Sequence, residues 1–408
     1  MNTGSQFARL CWVGFLARFS YALARNPVLP LFALTLGAGP EAVGLAVGIS
    51  TVTGILFKLP SGALSDVIGR RRTMLAGLVF FGLAPFAYLF ITDYWQLVAV
   101  RFLHGFATAI YGPVAMAVVA DIAGARKGEL LSWFSSVGII GGLLGAPVGG
   151  LMLSLTALPE GGYAPWAFPM VYAVCGLAGF SALLLGFRTL LREEQVAGGG
   201  FGERLGRFVS GIREVSSDRR VVAASAMEGV QNMSMGALEA FLPIYAVTVA
   251  GLSAFEAGLL WASQIVVTML AKPLMGRVSD RAGRKPLIVT GLLCCAVSFA
   301  AVPWLAGFWA LLAACLVFGL GEALVTSSSA AMVAELCKAN QYGTAMGVFG
   351  TIFDVGHAAG PIVAGLLVAS LGYAPAFAII SALLLVSVPW FVAATRDVRK
   401  GAAEGRNS

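Results

Sequence analysis

The chain has 408 residues, of which 58% are hydrophobic and only 12% charged, with mean hydropathy +0.86 and formal net charge +7. A soluble globular domain carries about 25% charged residues, so this composition excludes a soluble enzyme and makes the lipid bilayer the solvent in which the chain folds. Two histidines, and no Gly-Lys dipeptide anywhere, leave no place for the paired histidines of a membrane metalloprotease or for a phosphate-cradling ATP loop.

Twelve apolar runs reach the length of about 20 residues that a crossing needs. They are 10–36, 42–63, 73–92, 96–120, 130–154, 167–190, 221–249, 257–275, 287–306, 308–334, 343–370 and 374–394, numbered here as spans 1 to 12. The first run is too long, and lacks the small-residue cleavage site, to be a removable signal peptide. Span 1 carries Arg18 and Arg25, seven apart and therefore on one helical face. Between spans 2 and 3 stands GALSDVIGRRR at 62–72, a dense group of charges in a chain with few. Span 4 contains Arg101 and His104 and ends at Asp121, and span 5 contains GGLLGAPVGG at 141–150. Residues 191–220 form a linker in which AGGG at 197–200 precedes an amphipathic stretch with Arg204, Arg207 and Arg213 on its polar side. Span 7 holds Glu228, Gln231, Asn232 and Glu239, and GRVSDRAGRK follows span 8 at 276–285. Span 10 holds Glu322, and span 11 holds Asp354, His357 and GHAAGPIVAG at 356–365.

A displacement of 214 residues relates the two halves. Gly62, Asp66, Gly69 and Arg70 recur as Gly276, Asp280, Gly283 and Arg284; Lys58 recurs as Lys272, Asp121 as Glu335 and Pro147 as Pro361. The division is 1–190, a six-helix half; 191–220, the linker; 221–395, a second six-helix half; and 396–408, a tail. Six crossings return the chain to its starting side, so the repeats are parallel and a substrate belongs between them. With both termini cytoplasmic, the external loops contain Glu41, Asp93, Glu160 and Glu256 and no Lys or Arg, while every basic loop residue falls inside, as the positive-inside rule requires. The net positive charge is thus an orientation signal and gives no support to nucleic-acid binding. Six cysteines, none in an external pair, read as small buried hydrophobes.

These residues resemble the major facilitator superfamily of secondary transporters. The family's loop signature G-x-x-x-D-x-x-G-R-[RK] between spans 2 and 3 is matched by Gly62, Asp66, Gly69, Arg70 and Arg71, and its weaker copy between spans 8 and 9 by Gly276, Asp280, Gly283, Arg284 and Lys285. The resemblance implies an all-α membrane protein of twelve helices in a 6+6 arrangement around a central cavity, working by alternating access. It implies a conformational latch of Asp66, Arg70 and Asp121, repeated as Asp280, Arg284 and Glu335. LVAVRFLHGFATA at 97–109 is similar to the span 4 motif of proton antiporters, with Arg101 and Gly105 in place and His104 where Gln is usual. Gly141, Gly145, Gly149 and Gly150 match the antiporter motif of span 5 with Pro147 one position late; Gly356, Gly360 and Pro361 repeat its core in span 11. Both serve helix packing, and in the family they mark exporters.

Spans 1, 4, 7 and 10 line the cavity in this family, which assigns Arg18, Arg25, Gln231, Asn232, Glu239 and Glu322 to it. Arg25 and Glu239 are expected to pair across it. Proton coupling falls to Glu322, Asp354, Glu239 and Arg101. Glu322 ranks first of these, lying near mid-membrane with no basic residue within a turn on its own span, whereas Asp354 has His357 three positions away or bonds the Ser327–Ser329 run. The expectation is proton-coupled export of a small organic compound, the alternatives being a proton symporter that imports a sugar or organic acid, or a receptor without flux. The chain is expected to be no enzyme, to use no metal or cofactor, and to sit as a monomer in a prokaryotic inner membrane, its partners being substrate, protons and lipid.

Overall fold

The computed structural model describes residues 3–189, 218–337 and 342–396. The linker with its amphipathic stretch lies outside the described residues up to Ser217, as do Lys338 and the tail from Asp397; within span 2 the side chain of Asp66 is outside them as well. Among the described residues the architecture is helical throughout, apart from one isolated bridge, Ala157 to Tyr163, in the loop after span 5.

Among the described residues ten helices are long and apolar enough to cross a membrane: spans 2 to 6 and 8 to 12. Spans 1 and 7 fall short because they carry the polar residues. Span 1, expected as one run, is two helices, Thr3–Leu23 and Val28–Thr35. Its interruption ends at Pro27, which lacks the N–H that a continuing helix would use. Span 7 is Arg219–Ile244, closed by a π-helical turn at Tyr245–Val249. It begins at Asp218, whose side chain accepts from the Arg220 N–H at 2.8 Å and whose carboxyl Arg220 holds below the ordinary carboxylate range.

The two signature loops have the same construction. Span 2, Pro40–Ile68, gives way to span 3, Arg70–Ala87, through a single residue, Gly69, at φ 102°; span 8, Ala254–Ala282, gives way to span 9, Arg284–Ala301, through Gly283 at φ 91°. Only glycine takes that backbone conformation without strain. Both motif glycines are therefore set by the need to reverse the chain in one residue.

Span 1 packs on spans 5 (Lys127–Ser154) and 6 (Ala167–Thr189), and span 7 packs on span 11 (Tyr342–Leu371). The halves meet where span 2 lies on span 11 and span 5 lies on span 8, contacts that the repeat makes equivalent. Small residues bring these backbones together. A Cβ at Gly48 would stand 2.7 Å from the Ala358 carbonyl oxygen, one at Gly365 2.5 Å from that of Pro40, and one at Gly258 2.7 Å from that of Ala146. The Phe255 N–H also donates to Ser154 Oγ at 2.9 Å. All these contacts lie toward the ends of the helices away from the basic loops. The halves are thus closed against each other at what we term the acidic end, and the cavity lies on the basic side of that closure.

Candidate functional site

Helix packing decides which polar side chains reach the interface between the halves. In the first half, Gly141, Gly145 and Gly149 press span 5 onto Phe15, Phe19 and Leu23 of span 1, while Gly150 faces Ala254 of the other half. In the second half, Gly356 and Gly360 press span 11 onto Gly229 and Met233 of span 7, while Pro361 faces Gly44 across the interface. Pro147 and Pro361 lie inside their helices. Each motif therefore joins two helices of one half and also touches the other half, through Ala146 and Gly150 in span 5 and through Ala358, Pro361 and Gly365 in span 11.

Between the halves lies a cavity of about 450 Å³, lined by residues of spans 1, 4, 5, 7, 8 and 11. Its walls are mostly apolar, with Tyr21, Tyr111, Met116, Phe134, Ile139, Leu143, Met235, Trp261 and Ile265 among them. The charged groups facing it are Arg18, Arg25, Glu239 and His357.

Three of these form one cluster. Arg25 Nη2 donates to Glu239 Oε2 at 2.8 Å, and Arg25 Nε also meets Glu239 Oε1. His357 Nε2 lies 2.9 Å from Arg25 Nη2 and 3.0 Å from Glu239 Oε2. A neutral imidazole accepts there from the arginine, and an imidazolium donates to the carboxylate. Asn26 Nδ2 donates to the Glu239 carbonyl at 2.9 Å, and the Arg25 guanidinium stands 5.7 Å from the Tyr21 ring centroid. The interruption of span 1 at Arg25–Pro27 thus sits against span 7. Arg25 and Glu239 are 214 residues apart, so one repeat position, occupied by opposite charges, meets itself across the interface.

Several expected cavity residues lie elsewhere. Glu322 is turned from the cavity: it accepts from Gln264 Nε2 at 2.9 Å and Thr268 Oγ1 at 3.0 Å, with Lys272 Nζ at 3.9 Å. Gln231 and Asn232 are buried with Glu228, Asn232 donating to Glu228 Oε1 at 3.2 Å and to Gln231 Oε1 at 3.0 Å. The cavity stops on this side at Met235, whose sulfur lies 3.0 Å from Gln264 Nε2. Beyond it the amides and carboxylates are enclosed and bond one another, with Glu228 Oε2, Gln231 Nε2 and Gln264 Oε1 left without a hydrogen-bond partner among the described residues. Span 10 accordingly adds nothing to the lining. Arg101 is also enclosed, wholly buried between spans 1, 2 and 4. It donates to Ser50 Oγ at 2.6 Å and the Ala46 carbonyl at 3.3 Å, and stands 5.6 Å from the Tyr21 ring centroid. His104 Nδ1 lies 3.2 Å from the Tyr88 hydroxyl.

Asp354 and Glu322 do have basic neighbours, supplied by other spans. Lys58 Nζ of span 2 lies 2.5 Å from Asp354 Oδ2 of span 11, a pair that joins the halves, and the Ser327 hydroxyl bonds the carbonyl of Ala323 on its own helix. Lys58 and Lys272 are repeat equivalents, and that displacement was the available signal for both partnerships.

At the basic end, Arg70 Nε donates to Asp121 Oδ2 at 3.2 Å and Arg70 Nη1 to Ser65 Oγ at 2.6 Å. Its counterpart Arg284 Nη2 lies 2.6 Å from both Asp280 Oδ1 and Glu335 Oε1. Arg71 stands 5.7 Å from the Phe187 ring centroid. Each network ties helices of a single half. Gly62 and Gly276 sit within their helices, with room around both.

Known proteins share this plan. The Major Facilitator Superfamily model matches residues 10–271 and 251–407. The multidrug resistance protein MdtG of Serratia proteamaculans is 22% identical, the alignment covering 96% of this chain and 94% of that protein. The multidrug transporter MdfA of Yersinia pestis is 27% identical over 71% of this chain and 70% of its own. Among solved structures, a bacterial homolog of the human lysosomal transporter Spinster, inward-facing and unoccupied, superposes with a TM-score of 0.82 at 14% identity, covering 97% of each chain. The family match spans both halves, their twelve-helix arrangement and both signature loops: the chain is a multi-pass membrane transporter, not an enzyme, and belongs to the Major Facilitator Superfamily.

Proposed function

We propose that this transporter exports a small organic compound by alternating access, drawing on the proton gradient across a prokaryotic inner membrane with both of its termini in the cytoplasm. The observation that carries the reading is the Arg25–Glu239–His357 cluster, a titratable bridge between the halves at the wall of the cavity that lies on the basic side of their closure. Two of its three members can gain a proton, and doing so changes what Arg25 is attracted to. With the basic end taken as cytoplasmic, the cavity faces inward and the bridge lies on the outer side of it. Protonation of Glu239 removes one anchor holding the halves together there, so the bridge ties proton occupancy to opening of the acidic end.

Export as the direction draws support from the span 5 motif and from relatives whose names are those of multidrug transporters. Among the carboxylates first considered for the proton, Glu239 is preferred to Glu322 and Asp354 because it alone lines the cavity. A pH gradient imposed on proteoliposomes, inside acidic or inside alkaline, tests this. The proposal expects gradient-driven substrate movement in the wild type and, in Glu239→Gln, exchange without gradient-driven accumulation. A wild type indifferent to the gradient would overturn proton coupling, and cells lacking the protein that accumulate less substrate would overturn export.

A further inference from the structure

The cavity's charges do not balance. Arg25 is engaged by the one carboxylate of the lining, Glu239, so Arg18 is left over. Its side chain is exposed to the cavity and makes no hydrogen bond or ion pair with another described residue. One turn toward the basic end, Gly14 opens the wall to span 4, where Tyr111 is 3% exposed and its hydroxyl has no hydrogen-bond partner among the described residues. Arg18 and Tyr111 line the same cavity. Gly138 on span 5 leaves room for the arginine stem: a Cβ there would stand 3.5 Å from Arg18 Cγ. A guanidinium and a buried phenol, both donors and both unspent, therefore face the same space. Leaving the buried phenol unpaired is unfavourable unless an acceptor arrives, and the exposed guanidinium beside the same cavity is free to receive one with it.

We propose that Arg18 and Tyr111 form the binding point for the acidic group of an organic monoanion, a carboxylate or phosphonate, whose apolar body lies against Phe134, Ile139, Leu143 and Trp261. This rests on the transport reading above and names the substrate class for the same cavity. A planar guanidinium takes such a group through two parallel hydrogen bonds, and a neighbouring hydroxyl takes a further lone pair. A cationic substrate finds no free acid here, because Glu239 is occupied by Arg25 and His357. Export of a monoanion against entry of a proton moves positive charge inward on both legs of the cycle, the direction an inside-negative membrane potential favours. Uptake of the same anion together with a proton would move none.

The test is binding of 4-phenylbutyrate, its amide and the corresponding amine 4-phenylbutylamine to the full-length protein in detergent, followed by intrinsic fluorescence. Charge-assisted pairing predicts that the acid binds about 10- to 100-fold tighter than the amide. Arg18→Gln should bring the acid down to the level of the amide, Arg18→Lys should keep part of the difference, and Tyr111→Phe should weaken the acid by roughly 2- to 10-fold without altering the amide. Unchanged melting of each ligand-free variant shows that the fold is intact. An amide or amine that binds the wild type as tightly as the acid overturns the proposal, as does an acid preference that survives Arg18→Gln. No gradient enters this measurement, so failure of proton-driven export would leave a positive result standing, and failure here would leave export of another class of compound intact.

Discussion

The two halves share a loop and differ in the membrane. At the basic end, Arg70–Asp121 and Arg284–Glu335 repeat one contact at the same displacement, and Gly69 and Gly283 repeat one backbone turn. Inside the bilayer the repeat keeps positions and changes charges. The apolar runs of the first half contain Arg18, Arg25, Lys58, Arg101 and, at the basic end of span 6, Arg188, and not one carboxylate, whereas those of the second contain Glu228, Glu239, Glu322 and Asp354 against Lys272 alone among lysines and arginines. Loops that repeat point to one task done twice. Charges that oppose point to a task the halves perform on each other, and the two ion pairs that cross the interface among the described residues, Arg25–Glu239 and Lys58–Asp354, take the cation from the first half and the acid from the second.

Reversing one charge is the strongest way to break this comparison. Arg25→Glu places two acids at one buried position and should abolish transport. Removing either partner leaves the other charge buried without its counter-ion, a loss of about 3–5 kcal/mol in such settings. Because the two positions are repeat equivalents, the exchange Arg25→Glu with Glu239→Arg should restore stability and part of the transport; thermal unfolding with a double-mutant cycle measures the recovery. A smaller effect is expected from the helix contacts that bring the halves together. Gly48→Val adds volume against the Ala358 carbonyl and should cost roughly 1–3 kcal/mol, while Gly142→Ala, with nothing near it, should melt with the wild type.

Smaller again is the contrast between the equivalent lysines. Lys58→Met removes a contact between the halves, and Lys272→Met removes one within the second half. Only the former should raise thiol labelling of cysteines placed at the acidic end of the interface. Smallest in stability are the exposed loop pairs. Arg70→Gln and Arg284→Gln should change unfolding by no more than about 1 kcal/mol, and if the latch reading holds they slow turnover more than they destabilise. Equal stability and equal turnover in both variants would reduce the loops to orientation signals.

Most of this architecture was legible because it rests on period and repetition. Spans follow from apolar length, the paired loops from the displacement of 214, and the Arg25–Glu239 pairing from charge and register together. What escaped was depth along a shared face. Asn232 and Glu239 are seven apart and point the same way, yet Met235 ends the cavity between them and leaves Asn232 among amides. Glu322 lies mid-membrane as expected, but its partners come from span 8, and no pattern within span 10 announces them. Lys58 and Tyr111 were equally hard to find, since an ammonium on span 2 and a phenol on span 4 acquire meaning only when Asp354 and Arg18 are brought beside them.

The central claim is that the Arg25–Glu239 pair holds the halves together at the acidic end and that its release opens that end. Spin labels at Leu158 and Val249 report across the acidic end, and labels at Lys127 and Arg281 across the basic end, in a background without the six native cysteines. Pulsed electron–electron distance measurement should find the wild type short across the acidic end and long across the basic end. In Glu239→Gln the populations should move in opposite directions, the acidic-end distance lengthening as the basic-end distance shortens. Unchanged distributions at both ends in that variant would contradict the account.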